Sequence, residues 1–154
     1  MKQPFIELTK EISFEAAHYL HNPKWNRKKN MGIFKKCSGF RADDPKASQY
    51  PHGHSYRLRV TVKGPVHPET GFVIDFKSLK EILRREVFER LDHRFINKEV
   101  EPFKNKPGIQ PTVENLLLVI WDRLAPVLKK TGVELHEVVL WETQDNFASY
   151  RGGE

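Results

Sequence analysis

The sequence predicts an α+β fold, one antiparallel sheet with two helices on one face, and three observations carry that reading. Two long stretches alternate apolar and polar residues with the period of two expected of strands that bury one face. Two later stretches repeat apolar residues at helical spacing. Two shorter strand-like runs close the chain, so the order is ββααββ.

The first strand spans Phe5–His18, where Ile6, Leu8, Ile12, Phe14, Ala16 and His18 share one parity, interrupted by Lys10. His18 therefore projects to the side of Phe14 and Ala16. Residues 21–51 hold no sustained period and carry Pro, Gly, Asn, Asp and Lys, which reads as one long loop; such loops in compact domains are often functional. His52, His54, Tyr56, Leu58, Val60 and Val62 alternate with Arg57, Arg59, Thr61 and Lys63 in a second strand that stops at Gly64 and Pro65. It is the natural hairpin partner of the first. A helix from about Phe76 to Leu91 presents Phe76, Leu79, Leu83, Val87 and Leu91 as one stripe. A second helix begins after Pro111 with Thr112 as N-cap and runs through Leu116, Leu117, Ile120, Leu124 and Leu128 toward Gly132. Strands follow around Glu134–Thr143 and Asn146–Arg151. Open edges on a small sheet invite closure by neighbouring copies, so an oligomer is expected.

The chain has 154 residues, 38% hydrophobic and 30% charged, which fits one domain over residues 1–154 and excludes a disordered or membrane-spanning chain. The N-terminal stretch does not read as a signal peptide, and a cytoplasmic location is the default. Cys37 is the only cysteine, so no internal disulfide forms; it is either a nucleophile or base, or a small buried hydrophobe. The net charge is +6, and Lys24, Arg27, Lys28, Lys29, Lys35 and Lys36 crowd one segment. That cluster is either a surface for a phosphorylated small molecule or nucleic acid, or a solvated loop.

The clearest chemical signal is His52-Gly53-His54. Residues i and i+2 of a strand share a face, so both imidazoles can reach one metal, and His18 at the end of the neighbouring strand can supply a third nitrogen. Three protein ligands with an open fourth position match a catalytic zinc site; otherwise two exposed histidines flank a glycine. Asp92 and His93 follow the first helix, as acid–base partners or as a solvated helix end. Neighbouring side chains rarely face each other, so each is expected to act on a different group. Glu142 ends an apolar strand, where its carboxylate could accept paired N–H donors or mark the strand reaching water.

The ordered set FEAAH (His18), an upstream cysteine, HGHSY (His52, His54), GFVIDF (Asp75), LDHRFIN (Asp92, His93), PTVEN (Thr112, Glu114) and WET (Glu142, Thr143) resembles the 6-pyruvoyltetrahydropterin synthase and 6-carboxytetrahydropterin synthase family. The resemblance covers nearly the whole chain. It implies a tunnelling fold (T-fold) of ββααββ subunits, closed into a barrel by a trimer and stacked as a hexamer with active sites between subunits. It also implies Zn2+ on His18, His52 and His54, with 7,8-dihydroneopterin triphosphate as substrate. In that scheme Glu142 holds the pterin edge with Thr143 and Thr112 nearby. Cys37 as thiolate abstracts a side-chain proton, with Asp92 and His93 as relay partners. The compact chain and its HGHS look like the bacterial carboxy enzymes, so the expected product is 6-carboxytetrahydropterin, with acetaldehyde and triphosphate released, in queuosine precursor synthesis. The alternative is the pyruvoyl synthase, which eliminates triphosphate for biopterin. A third reading, a zinc-stabilised RNA-binding module, lacks the alternating aromatic and basic strand residues such a sheet needs; no nucleic acid and no membrane is expected as partner. One departure stands out: the insert SGFRADDPKASQYP separates Cys37 from His52, either looping out or displacing the thiol, in which case Asp43 or Asp44 is the substitute base.

Overall fold

A computed structural model describes residues 3–44 and 49–153. Residues 45–48 of the insert lie outside the described residues. Two strands, β1 (Phe5–His18) and β2 (His52–Pro65), pair antiparallel along their whole lengths, with His18 opposite His52 and Ala16 opposite His54. Directly paired residues share a face. The alternation read in the sequence thus fixes one apolar face containing Phe14, Ala16, Tyr56, Leu58, Val60 and Val62, all buried, with His18 buried at its end.

Strand β4 (Glu134–Trp141) pairs with β2, and β5 (Phe147–Tyr150) with β4. The register of β2 and β4 shifts at Thr61/Val62. An extra residue on one strand reverses its alternation. Leu135 therefore joins Val138 and Leu140 in the core despite its odd number. A fifth strand, β3 (Arg94–Phe95), lies parallel to β1, so the sheet order is β3-β1-β2-β4-β5. The expected four-strand antiparallel sheet is corrected to a mixed five-strand sheet; a two-residue strand leaves no alternation to read.

Helices cover the apolar face. Helix α2 (Phe76–Leu83) starts at the N-cap Asp75, whose carboxylate accepts from the Ser78 backbone N–H at 3.0 Å. It continues through a π-helical turn (Arg84–Phe88) into the short α3 (Glu89–Leu91). The stripe Leu79, Leu83, Val87 and Leu91 explains the turn. Four residues advance an α-helix by about 400°, so strict four-residue spacing drifts by about 40° at each step, and the wider π turn takes up the drift. All four side chains are fully buried. Helix α4 (Ile96–Glu99) follows β3, and α5 (Val113–Lys130) buries Leu116, Ile120, Leu124 and Leu128 with Thr112 as its N-cap, as predicted.

The long loop of residues 21–51 requires correction. It contains helix α1 (Arg27–Phe34), capped by Asn26, and a 3-10 turn (Lys35–Ser38). Its one buried helical residue is Asn30, so no apolar stripe exists for a periodicity to reveal. Asn30 instead acts as a polar hub. Its amide nitrogen donates to the carbonyls of Asn22, Trp25 and Asn26 at 3.0–3.1 Å, and its oxygen accepts from Asn22 N–H at 2.8 Å. No helix among the described residues is long and apolar enough to cross a membrane.

Candidate metal centre and active site

The strand register brings three imidazoles together. Ligand nitrogens of His18, His52 and His54 all lie within 4.8 Å of one another, and His18 Nε2 is 3.0 Å from His52 Nε2. Nitrogens bound to one tetrahedral zinc lie roughly 3.3 Å apart. The donor chemistry fits a metal as well as the spacing does. His18 Nδ1 lies 2.7 Å from the Pro111 carbonyl oxygen, which can only accept. That nitrogen therefore carries the proton, and Nε2 presents its lone pair to the cluster. Burial lowers the His18 pKa to about 4, against a smaller opposing effect of the Pro111 carbonyl, and His52 and His54 lower it further. Burial, then His54, also lowers that of His52. Neutral imidazoles are the ligand form. His54 Nε2 is buried without a hydrogen-bond partner among the described residues, and leaving such an atom unsatisfied costs about 1–3 kcal/mol.

Glu142 borders the triad, its Oε1 3.6 Å from His18 Nε2 and 3.8 Å from His54 Nε2. The following Thr143 sits in the β4–β5 turn, where its hydroxyl accepts from Asn146 N–H at 3.1 Å. Thr112 follows the Pro111 that orients His18, and its hydroxyl accepts from Asn115 N–H at 3.4 Å. Neither hydroxyl donates a hydrogen bond among the described residues.

Cys37 lies in the 3-10 turn, and its carbonyl accepts from Leu20 N–H at 2.7 Å, two residues beyond His18. Burial and then the nearby Glu142 carboxylate raise its pKa. The insert closes at its neck. Tyr50 N–H donates to Gly39 O at 2.9 Å, and the Gln49 amide donates to Ser38 O at 2.9 Å. Gly39 has φ +74, and a Cβ there would meet Tyr50 O at 2.6 Å. The excursion therefore begins and ends beside the thiol's own turn, with Asp43 and Asp44 lying within it.

Asp92 and His93 lie elsewhere, at the β3 edge. Asp92 Oδ1 accepts from Glu15 N–H at 2.9 Å and Oδ2 pairs with His93 Nδ1 at 2.7 Å. The expectation that the two act on different groups is overturned. His93 has φ 56, a left-handed conformation that swings its ring back onto Asp92, and its N–H donates to Glu15 O at 2.6 Å. The Glu15 N–H, then His93, lower the Asp92 pKa. His93 lines a cleft at the sheet edge with Glu15, Ala17, Gly53 and Ser55, and His54 of the triad also borders it. No hydrogen bond or ion pair among the described residues joins Cys37 to either member.

Sequence reasoning missed the role of Tyr56. Fully buried, it stacks on Phe14 at 5.0 Å and lies 5.6 Å from His54, and its hydroxyl has no hydrogen-bond partner among the described residues. Burial, then Glu142 and Cys37, raise its pKa, so the phenol stays protonated. Its parity with His52 and His54 was the available signal.

The model of the family described as 6-pyruvoyl tetrahydropterin synthase matches residues 7–153. The chain is 39% identical over 151 residues to a Drosophila melanogaster protein named 6-pyruvoyl tetrahydrobiopterin synthase, covering 98% of this chain and 82% of that protein. It is 33% identical over 146 residues to the human protein of the same name, covering 95% and 91%. The Caenorhabditis elegans 6-pyruvoyl tetrahydropterin synthase structure superposes with a TM-score of 0.81 at 29% identity, covering 99% of each chain. The mixed sheet, left open at both edges in a single chain, is the T-fold of that structure. The family match along nearly all of the chain places it in the 6-pyruvoyl tetrahydropterin synthase family.

Proposed function

We propose that this chain is a zinc-dependent lyase that converts 7,8-dihydroneopterin triphosphate to 6-pyruvoyl tetrahydropterin with elimination of triphosphate. The observation that carries the proposal is the convergence of three imidazole nitrogens in a chain of this family. The carboxy product expected from the look of HGHS gives way to its alternative, because relatives matched along 82–96% of their own lengths bear the pyruvoyl name.

His18, His52 and His54 would hold the ion, which when bound supplies a Lewis acid that polarises a side-chain oxygen of the substrate. Pro111 keeps His18 in the ligating tautomer. Glu142 accepts the paired N–H donors of the amino-pyrimidinone edge, with Thr112 and Thr143 donating beside it. Cys37 takes the side-chain proton. Burial and Glu142 favour the thiol, so a thiolate base needs positive charge close by. Within one chain no hydrogen bond or ion pair among the described residues joins the Asp92–His93 pair to Cys37, and we propose that a neighbouring copy delivers it to Cys37 as the open sheet edges close.

Incubating zinc-loaded protein with dihydroneopterin triphosphate and identifying the product tests this reading. Pyruvoylpterin with free triphosphate supports it. Carboxypterin with acetaldehyde moves the chain to the other branch, and absence of turnover by the loaded protein overturns both.

A further inference from the structure

The basic segment singled out in the sequence has no part in the site described so far, yet it opens beside it. Lys35, Lys36 and Arg41 line a cleft of about 620 Å³ whose wall includes His52. The only carboxylate in that lining is Asp43, and no ion pair among the described residues neutralises any of the three cations. The cleft therefore carries excess positive charge next to a metal-ligand histidine.

Two features show that the charges are held in place. Lys35 sits at φ 53 and ψ −131, where α1 breaks into the 3-10 turn. Glycine would occupy this conformation without steric cost, so a lysine there retains a cation at the expense of backbone strain. Arg41 belongs to the insert, and its guanidinium lies over the Tyr50 ring at 4.1 Å. Stacking uses the planar face and leaves the N–H edge available for oxyanions. The Arg41 carbonyl is itself anchored, accepting from the Arg27 guanidinium at 2.6 Å.

We propose that this cleft is the subsite for the triphosphate chain of the substrate, with Lys35 and Lys36 from the 3-10 turn and Arg41 from the insert as its donors. The assignment rests on the pterin reading above and extends it to the part of the substrate that leaves. It also gives the insert a purpose: the loop that lengthens the path from Cys37 to His52 brings a cation to the cleft.

The test is calorimetric titration of the full chain with sodium tripolyphosphate, in chelator-treated and zinc-loaded forms, so that binding by the metal is separated from binding by the cleft. Tripolyphosphate should bind both forms. R41Q and the double variant K35Q/K36Q should each weaken it about tenfold or more, the effect of losing a charge-assisted contact, and D43N should tighten it. K35G removes one of the two lysine charges while relieving the strained backbone, so its loss of affinity cannot come from misfolding. With substrate, R41Q should raise KM, while the affinity for unphosphorylated dihydroneopterin, which lacks the triphosphate, stays unchanged. Tripolyphosphate affinity equal in wild type and these variants, or absent from both forms of the wild type, overturns the subsite even where turnover stands. Charge-dependent tripolyphosphate binding without pterin turnover leaves the polyphosphate cleft and overturns only the pterin reading.

Discussion

The histidine end of the sheet and the Asp92–His93 corner hold similar chemical groups in opposite states of completion. At the histidine end, His54 Nε2 and the Tyr56 hydroxyl are buried without hydrogen-bond partners among the described residues. At the corner each Asp92 oxygen has a partner, the His93 backbone N–H is bound, and the ring is 79% exposed. Unsatisfied buried atoms cost stability unless something absent from the chain completes them. A satisfied pair presented to solvent has the opposite character: it is rigid and oriented toward something outside. The first region is built to receive a ligand, and under the proposed assembly the second meets a neighbouring copy.

The largest effect should come from emptying the first region. His52→Ala is expected to reduce bound zinc from about one ion per chain to a trace, measured by metal analysis after dialysis, and to abolish turnover. Full retention of zinc would break the comparison at its root. Next in size is a pair of variants that spans both regions. Cys37→Ala and His93→Ala should each keep zinc and fold while losing about 10²–10⁴-fold in kcat, the range for a missing proton-transfer group. Mixing the two variants under conditions that exchange subunits should restore part of the activity, because some sites then pair an intact Cys37 with an intact His93. Mixtures no more active than their components would place the thiol and the pair in separate roles.

Much of the first region could be read from strand parity, because the alternation that buries Phe14 and Tyr56 also aligns His18, His52 and His54. The second region could not. The Asp92–His93 bond depends on a positive φ at a histidine, and side-chain chemistry announces no such backbone state. Helix α1 escaped for a related reason: Asn30 fills its interior position, and a polar hub has no hydrophobic period. The position of Cys37 hinges on the neck between Gly39 and Tyr50, a contact across the insert that spacing alone leaves open. Thr112 was legible as a helix boundary because capping is a local interaction between neighbours in sequence.

Tyr56→Phe makes a smaller and more discriminating test. Removing a buried hydroxyl that lacks a partner should leave stability unchanged or raise it by up to about 1 kcal/mol in chemical denaturation. Turnover should fall about tenfold, because a phenol kept protonated beside Glu142 and Cys37 is positioned to donate to the substrate. A loss of stability with full activity would instead make the tyrosine a packing residue completed by solvent.

The smallest effect concerns the thiol and has a definite sign. In chelator-treated protein, burial and then the Glu142 carboxylate favour the protonated form of Cys37. Iodoacetamide reacts with the thiolate, so its rate should rise with pH and reach half its plateau above the pH at which an unstructured cysteine peptide does. Glu142→Gln deletes the negative neighbour and retains the bulk. The thiol pKa should then fall, and alkylation at a fixed pH near 8 should speed up severalfold, with burial accounting for the shift that remains. An unchanged profile in Glu142→Gln would mean that the carboxylate does not govern the thiol, which would detach Cys37 from the histidine end of the sheet and remove the electrostatic reason for a base there to depend on positive charge from elsewhere.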